Sequence, residues 1–250
     1  MDRSAFRKRF SNGRVAVFPV IHVLDSEQAE RNVRTALDEG CAGVFLINHD
    51  FAYPEFLPII AHVRSAFPDI WLGVNFLAVT GKQAFPILAR LQNEGTQIDA
   101  YWADDARIDE FSPSDTQLEA QEIAEIRAAS GWNGLYFGGT AFKKQREVST
   151  DNYATSAALA CAQMDVVTTS GIATGQSADI QKIEVFRKAC GDTPLALASG
   201  ITAENVGRYA PLVDAVLVAT GINIEGDFYN IDAKRLAQLN SKIAKGERHE

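Results

Sequence analysis

Short apolar runs alternate along this chain with longer segments in which apolar residues recur at helical spacing. Runs such as VFLI, LGVNFL and AVLVA are almost continuously apolar, which is typical of strands covered on both faces. Eight strand–helix units of this kind follow one another over the 250 residues. The pattern predicts a (β/α)₈ barrel closed by parallel strand pairing, with an open doubly wound sheet as the alternative fold.

The predicted elements have recognisable boundaries. Several helix starts carry a capping signal: Asp25 has Gln28 three residues later, Pro54 suits a first helical turn, and Thr202 and Asp232 precede further helices. The predicted strands cover residues 15–23, 43–48, 70–77, 98–103, 133–137, 165–169, 195–198 and 215–219.

No linker or shift in composition divides the chain, so we predict one barrel domain over residues 1–250. Residues 1–14 precede the first strand and are basic, with Phe6 and Phe10 among them. We expect this segment to form a short helical extension that packs under the barrel, rather than an RNA-binding arm.

Composition narrows the class of protein. Hydrophobic residues make up 46% of the chain, which suffices for a large core without disulfide or metal support. The three cysteines are odd in number and form no CxxC pair, which favours a reducing, cytoplasmic location. No signal peptide or membrane-length apolar run is present, and a net charge of −8 argues against binding to nucleic acid or anionic membranes. A small anionic ligand remains compatible with this charge.

In a barrel of this kind, the functional residues lie at the carboxyl ends of the strands and in the loops that follow. Two of these loops contain the strongest chemical signal. Glycine permits close approach to a ligand, and helix-start amides favour an anion, so the turns after strands seven and eight predict a phosphate site. The alternative is that the glycines only permit tight turns. The predicted phosphate-binding residues are Ser199, Gly200, Thr220 and Gly221.

Polar residues at the other strand ends are the candidates for chemistry. Asp104 is favoured over Asp105 as the aspartate facing the pocket, and it would serve as a general base or bind sugar hydroxyls; the alternative is a loop acid paired with Arg107. Lys143 would hold a phosphate or polarise the substrate, although its neighbours also suit a solvated charge run. His22 is either a second proton-transfer candidate or a satisfied core histidine.

Further strand-end residues would contact the substrate. The predicted substrate-binding residues are Asn48, Asn75, Thr169 and Ser170. The last two belong to a glycine-containing stretch, TTSGIATG at 168–175, which suits a mobile lid or simply a surface loop. No metal site is expected, because the chain contains no HxH pair or carboxylate cluster; the alternative is that His22, His49 and Asp104 gather as metal ligands across the barrel. No cofactor is expected either, since no Walker loop or strand-to-helix GxGxxG occurs.

These residues resemble the BtpA/SgcQ family of TIM barrels. The similarity runs from about residue 15 to residue 243 and includes Val-Ile-His22, Leu-Gly-Val-Asn75, the lysine at 143 and the strand-six loop. Its strongest part is ASGITAENV from Ala198, followed by DAVLVATG ending at Gly221. The resemblance implies a barrel similar to the ribulose-phosphate-binding barrels. One branch of the family is associated with photosystem I biogenesis and another with sugar catabolism.

Three departures from the family pattern indicate a divergent member. The Leu-Pro-Gly stretch that follows the early histidine is replaced by Val-Leu-Asp25-Ser, and the Glu-Asn pair after strand two reads Ile47-Asn48. The Arg-Asn-Asp stretch after strand three reads Ala78-Val-Thr80. A shared substrate is therefore not implied.

The sequence as a whole predicts an enzyme acting on a small phosphorylated sugar or phosphoribosyl-type metabolite. Asp104, with His22 as the alternative, would transfer protons, while Lys143 and Asn75 would polarise or orient the substrate. The alternative function is a non-catalytic assembly or regulatory protein on a barrel scaffold. We expect a homodimer, because twofold assemblies are the commonest oligomers.

Overall fold

The computed structural model of the chain describes residues 1–246. Eight parallel strands form a closed barrel in the order β1 to β8, and β8 pairs with β1. The predicted (β/α)₈ barrel is therefore confirmed, and the open-sheet alternative is wrong because β1 and β8 leave no free edge. The strands are β1 (Ala16–Val23), β2 (Gly43–Asn48), β3 (Trp71–Asn75), β4 (Ala100–Ala103), β5 (Leu135–Gly139), β6 (Val166–Ser170), β7 (Leu195–Ala198) and β8 (Ala215–Val218).

Helices follow the strands in the predicted alternation. Asp25 caps the helix that follows β1 by accepting a hydrogen bond from the Gln28 amide, and Pro54 lies in the first turn of the helix that follows β2. The helix after β7 starts later than predicted, because the Thr202 carbonyl first accepts the amides of Asn205 and Val206 in a turn. The helices are α1 (Arg3–Ser11), α2 (Ser26–Asp38), α3 (Tyr53–Ala66), α4 (Gly81–Asn93), α5 (Leu118–Ser130), α6 (Tyr153–Ala160), α7 (Ile180–Cys190), α8 (Val206–Tyr209) and α9 (Ala233–Gly246).

Strand alternation separates two apolar cores. One lies between the barrel and the surrounding helices, and the other fills the barrel interior. Helix α1 closes the amino-terminal end of the interior: its buried Phe6 lies 6.2 Å from Phe137, and Phe10 lies 5.0 Å from Trp71, measured between ring centroids. This end of the barrel is therefore filled by side chains, which leaves the opposite end for ligand binding.

A repeated ion pair reinforces the amino-terminal end. An aspartate lies directly before each of β4, β6 and β8. It forms an ion pair with an arginine of an earlier helix and accepts a hydrogen bond from a backbone amide of the neighbouring strand. Each set thereby joins a helix to two adjacent strands. The three sets are Arg64–Asp99–Leu72, Arg127–Asp165–Tyr136 and Arg187–Asp214–Leu195.

None of the helices within the described part of the chain is both long enough and apolar enough to span a membrane.

Candidate functional site

A cavity of about 560 Å³ opens at the carboxyl ends of the strands. It contains most of the residues that the sequence predicts for the site. Those that line it are His22, Asp104, Lys143, Ser199, Gly200, Thr220 and Gly221. The catalytic candidates and the phosphate candidates therefore share one chamber.

A second, smaller cavity of about 350 Å³ adjoins the first along the loops after β7 and β8. These loops contain Gly200 and Gly221 and are called the glycine loops below. Gly175, Gly200, Thr220 and Gly221 line both cavities. The far side of the smaller cavity is formed by polar residues. These include Thr202, Glu204, Arg235 and Gln238. The glycine loops therefore border the barrel mouth on one side and the smaller cavity next to α9 on the other.

The glycine loops hold unusual backbone geometry. Ser199 and Gly200 both have positive φ, +72° and +68°, and a side chain at Gly200 would place its Cβ 2.2 Å from the Gln176 carbonyl oxygen. Asn205 locks this turn by donating to the Gly200 carbonyl at 2.7 Å and by accepting the Thr202 amide at 2.9 Å. The loop after β7 is therefore fixed closely against the loop after β6.

The loop after β8 packs with equal closeness on the loop after β7. A Cβ at Gly221 would lie 1.9 Å from the Ile201 carbonyl oxygen. The next two amides, of Ile222 and Asn223, donate to the Ala219 carbonyl in a helical turn, so the amides of Thr220 and Gly221 stand at its start. Amides at that position are suited to an anion.

Asp104 projects into the cavity, while Asp105 bonds with Arg107. The alternation of β4 accounts for the difference, because Trp102 faces the barrel interior and Asp104 follows two residues later. Asn75, from β3, donates to the Asp104 carboxylate at 3.0 Å. Burial raises the pKa of Asp104 to about 6, and the hydrogen bond from Asn75 opposes this only in part.

Lys143 enters the same cavity from the loop after β5. Its backbone amide donates to the Ser170 hydroxyl at 2.8 Å, and its ammonium donates to the Thr174 hydroxyl at 3.3 Å. Burial lowers the pKa of Lys143, and the charge of Asp104 opposes that shift. Behind it, buried Lys182 donates to the carbonyls of Ala141 and Ser170 and so holds the loops after β5 and β6 together.

His22 lies at the end of β1 beneath Phe228 of the loop after β8. Its Nδ1 is 2.9 Å from the Phe228 carbonyl, and the two rings stack with centroids 3.8 Å apart. Burial lowers the pKa of His22 to about 4. A carbonyl only accepts, so Nδ1 carries the proton of the neutral ring and Nε2 is left as an acceptor. His22 is both a packed residue and a wall of the cavity.

Four predicted substrate contacts do not line the cavity. Asn75 reaches it only through Asp104, and Ser170 supports the backbone of Lys143. Asn48 donates to the Phe51 carbonyl and accepts the Leu77 amide. Thr169 points toward the helix layer, where its hydroxyl donates to the Thr140 carbonyl. Strand alternation or existing hydrogen bonds direct these side chains away from the mouth. Their hydrogen bonds hold neighbouring loops and strands in position instead.

Sequence reasoning missed two aromatic residues of the cavity. Trp102 could have been predicted from the sequence, since it lies two positions before Asp104 and therefore shares its side of β4. Its indole N–H and the Ser199 hydroxyl have no hydrogen-bond partner within residues 1–246. No sequence pattern indicates Phe228, because its position over His22 depends on a contact between two residues that are 206 positions apart in the chain.

Over the described residues, the structure brings together no group of three histidine, cysteine, aspartate or glutamate side chains able to hold a metal ion.

The ionisation of Asp104 yields a prediction for stability. Its pKa of about 6 in the folded protein exceeds the ordinary value of 3.8. The contribution of Asp104 to the unfolding free energy is therefore most favourable below pH ~4, where its carboxyl is neutral. This contribution is lost as the pH rises through about 6, and the loss is at most about 3 kcal/mol. We expect the unfolding free energy of Asp104→Asn, minus that of the wild type, to increase over this window. Urea unfolding between pH 4 and 7 measures it, and a flat difference would contradict the raised pKa.

Comparison with family models finds a match to the second half of the chain. The model of the BtpA family matches residues 137–245, which confirms the resemblance over that stretch. The matched stretch includes Lys143 and both glycine loops, whereas His22, Asn75 and Asp104 precede it. No protein of curated function matches the sequence.

Solved structures with the same fold cover nearly the whole chain. The tryptophan synthase α subunit from Legionella pneumophila str. Paris has a TM-score of 0.66 at 15% identity, covering 98% of this chain and 99% of its own. Phosphoribosyl anthranilate isomerase from Thermus thermophilus has a TM-score of 0.59 at 14% identity, covering 92% and 98%. A structure described as native KDPGal has a TM-score of 0.59 at 14% identity, covering 93% and 94%. At these identities the likeness shows the TIM-barrel fold alone.

Proposed function

We propose that this BtpA-like barrel is an enzyme that binds a phosphorylated sugar or phosphoribosyl-type metabolite at the loops after β7 and β8. The observation that carries the proposal is the shared cavity, which joins the glycine loops to Asp104 and Lys143. An anion-binding rim and a proton-transfer group in one chamber are the two components such a reaction needs.

The phosphate would bind to the backbone amides of Gly200 and Gly221. Glycine at both positions lets each loop pack closely on the neighbouring loop, which brings the amides of the two loops together, and the hydroxyls of Ser199 and Thr220 supply further donors. The Ser199 hydroxyl has no partner within the described residues, so a phosphate oxygen would satisfy it. Lys143 would add the positive charge that these neutral donors lack.

Asp104 would be the proton-transfer residue of the reaction. A carboxyl with a pKa of about 6 both accepts and releases a proton near neutral pH. Asn75 would position it, and Lys143 would stabilise negative charge that develops on the substrate. His22 presents Nε2 as a hydrogen-bond acceptor and would orient a substrate hydroxyl. Proton transfer at a carbon or oxygen atom near the phosphate is the reaction class that these roles support.

The first experiment is a thermal-shift screen of inorganic phosphate and phosphorylated sugars, followed by calorimetry on Lys143→Gln. A ligand at ~100 times its dissociation constant adds about 2.7 kcal/mol to stability, which is readily detected. We expect Lys143→Gln to weaken phosphate binding by about tenfold, since a charge-assisted contact is lost. Lys188→Gln, on the exposed side of α7, is the matched control and should bind as the wild type does. Silence across the panel would count against this proposal and favour the assembly-protein alternative.

A further inference from the structure

The lining of the main cavity differs in polarity between its rim and its floor. The rim contains the glycine loops after β7 and β8 together with Asp104 and Lys143. The floor below this rim is apolar and comes from the barrel-interior faces of β1, β2, β4 and β8. Val20, Ile47, Trp102 and Leu217 form this floor. On the side of β3 and β4, Leu77 joins Trp102 in an apolar wall of the cavity. The part of a simple sugar phosphate that reaches this apolar surface would exchange water for it without gaining a hydrogen bond there.

The order of strands fixes where the apolar wall lies relative to the glycine loops. In a ring of eight strands, β3 and β4 stand across the barrel from β7 and β8. Leu77 follows β3, and Trp102 belongs to β4. A ligand with its phosphate on the glycine loops would therefore extend its other end toward Leu77, Trp102 and Asp104, which follows Trp102 at the end of β4.

Trp102 is held in place at this wall by two aromatic neighbours. Its ring lies 5.8 Å from Phe142 and 6.0 Å from Phe45 between centroids, both at steep angles. The side chain is 4% exposed, yet its indole N–H has no partner within the described residues. A rigid aromatic side chain in the lining of the cavity suits contact with a planar group.

We propose that the ligand of this site is a phosphate ester with a planar, apolar group at the end opposite its phosphate, rather than a plain sugar phosphate. This inference rests on the proposed phosphate site. It selects the phosphoribosyl-type metabolites that carry an aromatic or heterocyclic substituent from the broader class of phosphorylated sugars. The phosphate would bind on the glycine loops, and the planar group would pack between Trp102 and Leu77.

Calorimetry with 1-naphthyl phosphate, ribose 5-phosphate and inorganic phosphate tests the inference on the full chain. We expect 1-naphthyl phosphate to bind at least about tenfold more tightly than ribose 5-phosphate, which corresponds to about 60 Å² of buried apolar surface. Inorganic phosphate should compete with both. Leu77→Asn, at the half-buried rim of the apolar wall, should reduce this preference to about twofold without changing the affinity for inorganic phosphate. Leu118→Asn, which alters a side chain 78% exposed and outside the cavity, should change neither.

The outcomes separate this inference from the proposed function. Equal or tighter binding of ribose 5-phosphate would overturn the inference and leave the phosphate site standing. Binding of 1-naphthyl phosphate that inorganic phosphate does not displace would place the aryl group away from the glycine loops, and would also overturn it. Failure of all three ligands to bind would remove the phosphate site itself, and the inference with it.

Discussion

We expect Gly221→Ala to weaken the binding of inorganic phosphate and phosphate esters by at least about 100-fold, or ~2.8 kcal/mol. The added Cβ would lie 1.9 Å from the carbonyl oxygen of Ile201 and 3.3 Å from the Cα of Thr202. Both atoms belong to backbone, so no side-chain rotation relieves the overlap. The loops after β7 and β8 must separate, and amides placed to share one phosphate then no longer converge on it.

Calorimetric titration of phosphate measures the loss, and a second glycine provides the control. Gly207 lies in α8, and a Cβ there would meet nothing within 4 Å. Gly207→Ala should bind phosphate as the wild type does and unfold at the same or a slightly higher temperature, because alanine favours a helix. Circular dichroism establishes that Gly221→Ala remains folded. Wild-type phosphate affinity in the folded variant would mean that the close approach of the two loops serves only the turn.

The fold followed from the sequence because periodicity and burial repeat in all eight units. The continuously apolar β2 and β7 begin and end at the predicted residues, since a strand covered on both faces has no polar position inside it. Boundaries shifted where local hydrogen bonds compete. The start of α8 moved to Val206, because the Thr202 turn forms first, and β5 begins at Leu135, two residues later than predicted.

The candidate site could be predicted only as far as strand ends determine it. Strand alternation distinguished Asp104 from Asp105, because inward and outward positions are a property of β4 itself. Thr169 shows the limit of that reasoning: it lies one residue before Ser170 on the outward face of β6, and its hydroxyl is already bonded to the Thr140 carbonyl. Contacts such as Phe228 over His22 depend on how a long loop folds back, which no local pattern encodes.

The second large effect concerns stability at the opposite end of the barrel, where we expect Asp214→Asn to lower the unfolding free energy by about 3–5 kcal/mol. The Asp214 carboxylate is fully buried. It accepts hydrogen bonds from Arg3 Nε and Arg7 Nε, both at 2.6 Å. It also accepts hydrogen bonds from Arg187 Nη1 at 2.9 Å and from the Leu195 amide at 3.0 Å. An amide of the same size leaves three guanidinium groups without their shared counter-charge. It also turns an N–H₂ group toward donors, which removes hydrogen bonds as well as charge.

Urea unfolding at neutral pH measures this loss, and two further variants identify its cause. Asp115→Asn, on an exposed turn, should change the unfolding free energy by less than about 0.5 kcal/mol. In a double-mutant cycle, Arg7→Gln should cost less in the Asp214→Asn background than alone, because its partner is already gone. Additive losses would mean that Arg7 contributes through packing, and a wild-type midpoint in Asp214→Asn would refute the ion-pair account. Folded Asp214→Asn should still bind phosphate, since the ion cluster and the glycine loops lie at opposite ends of the strands.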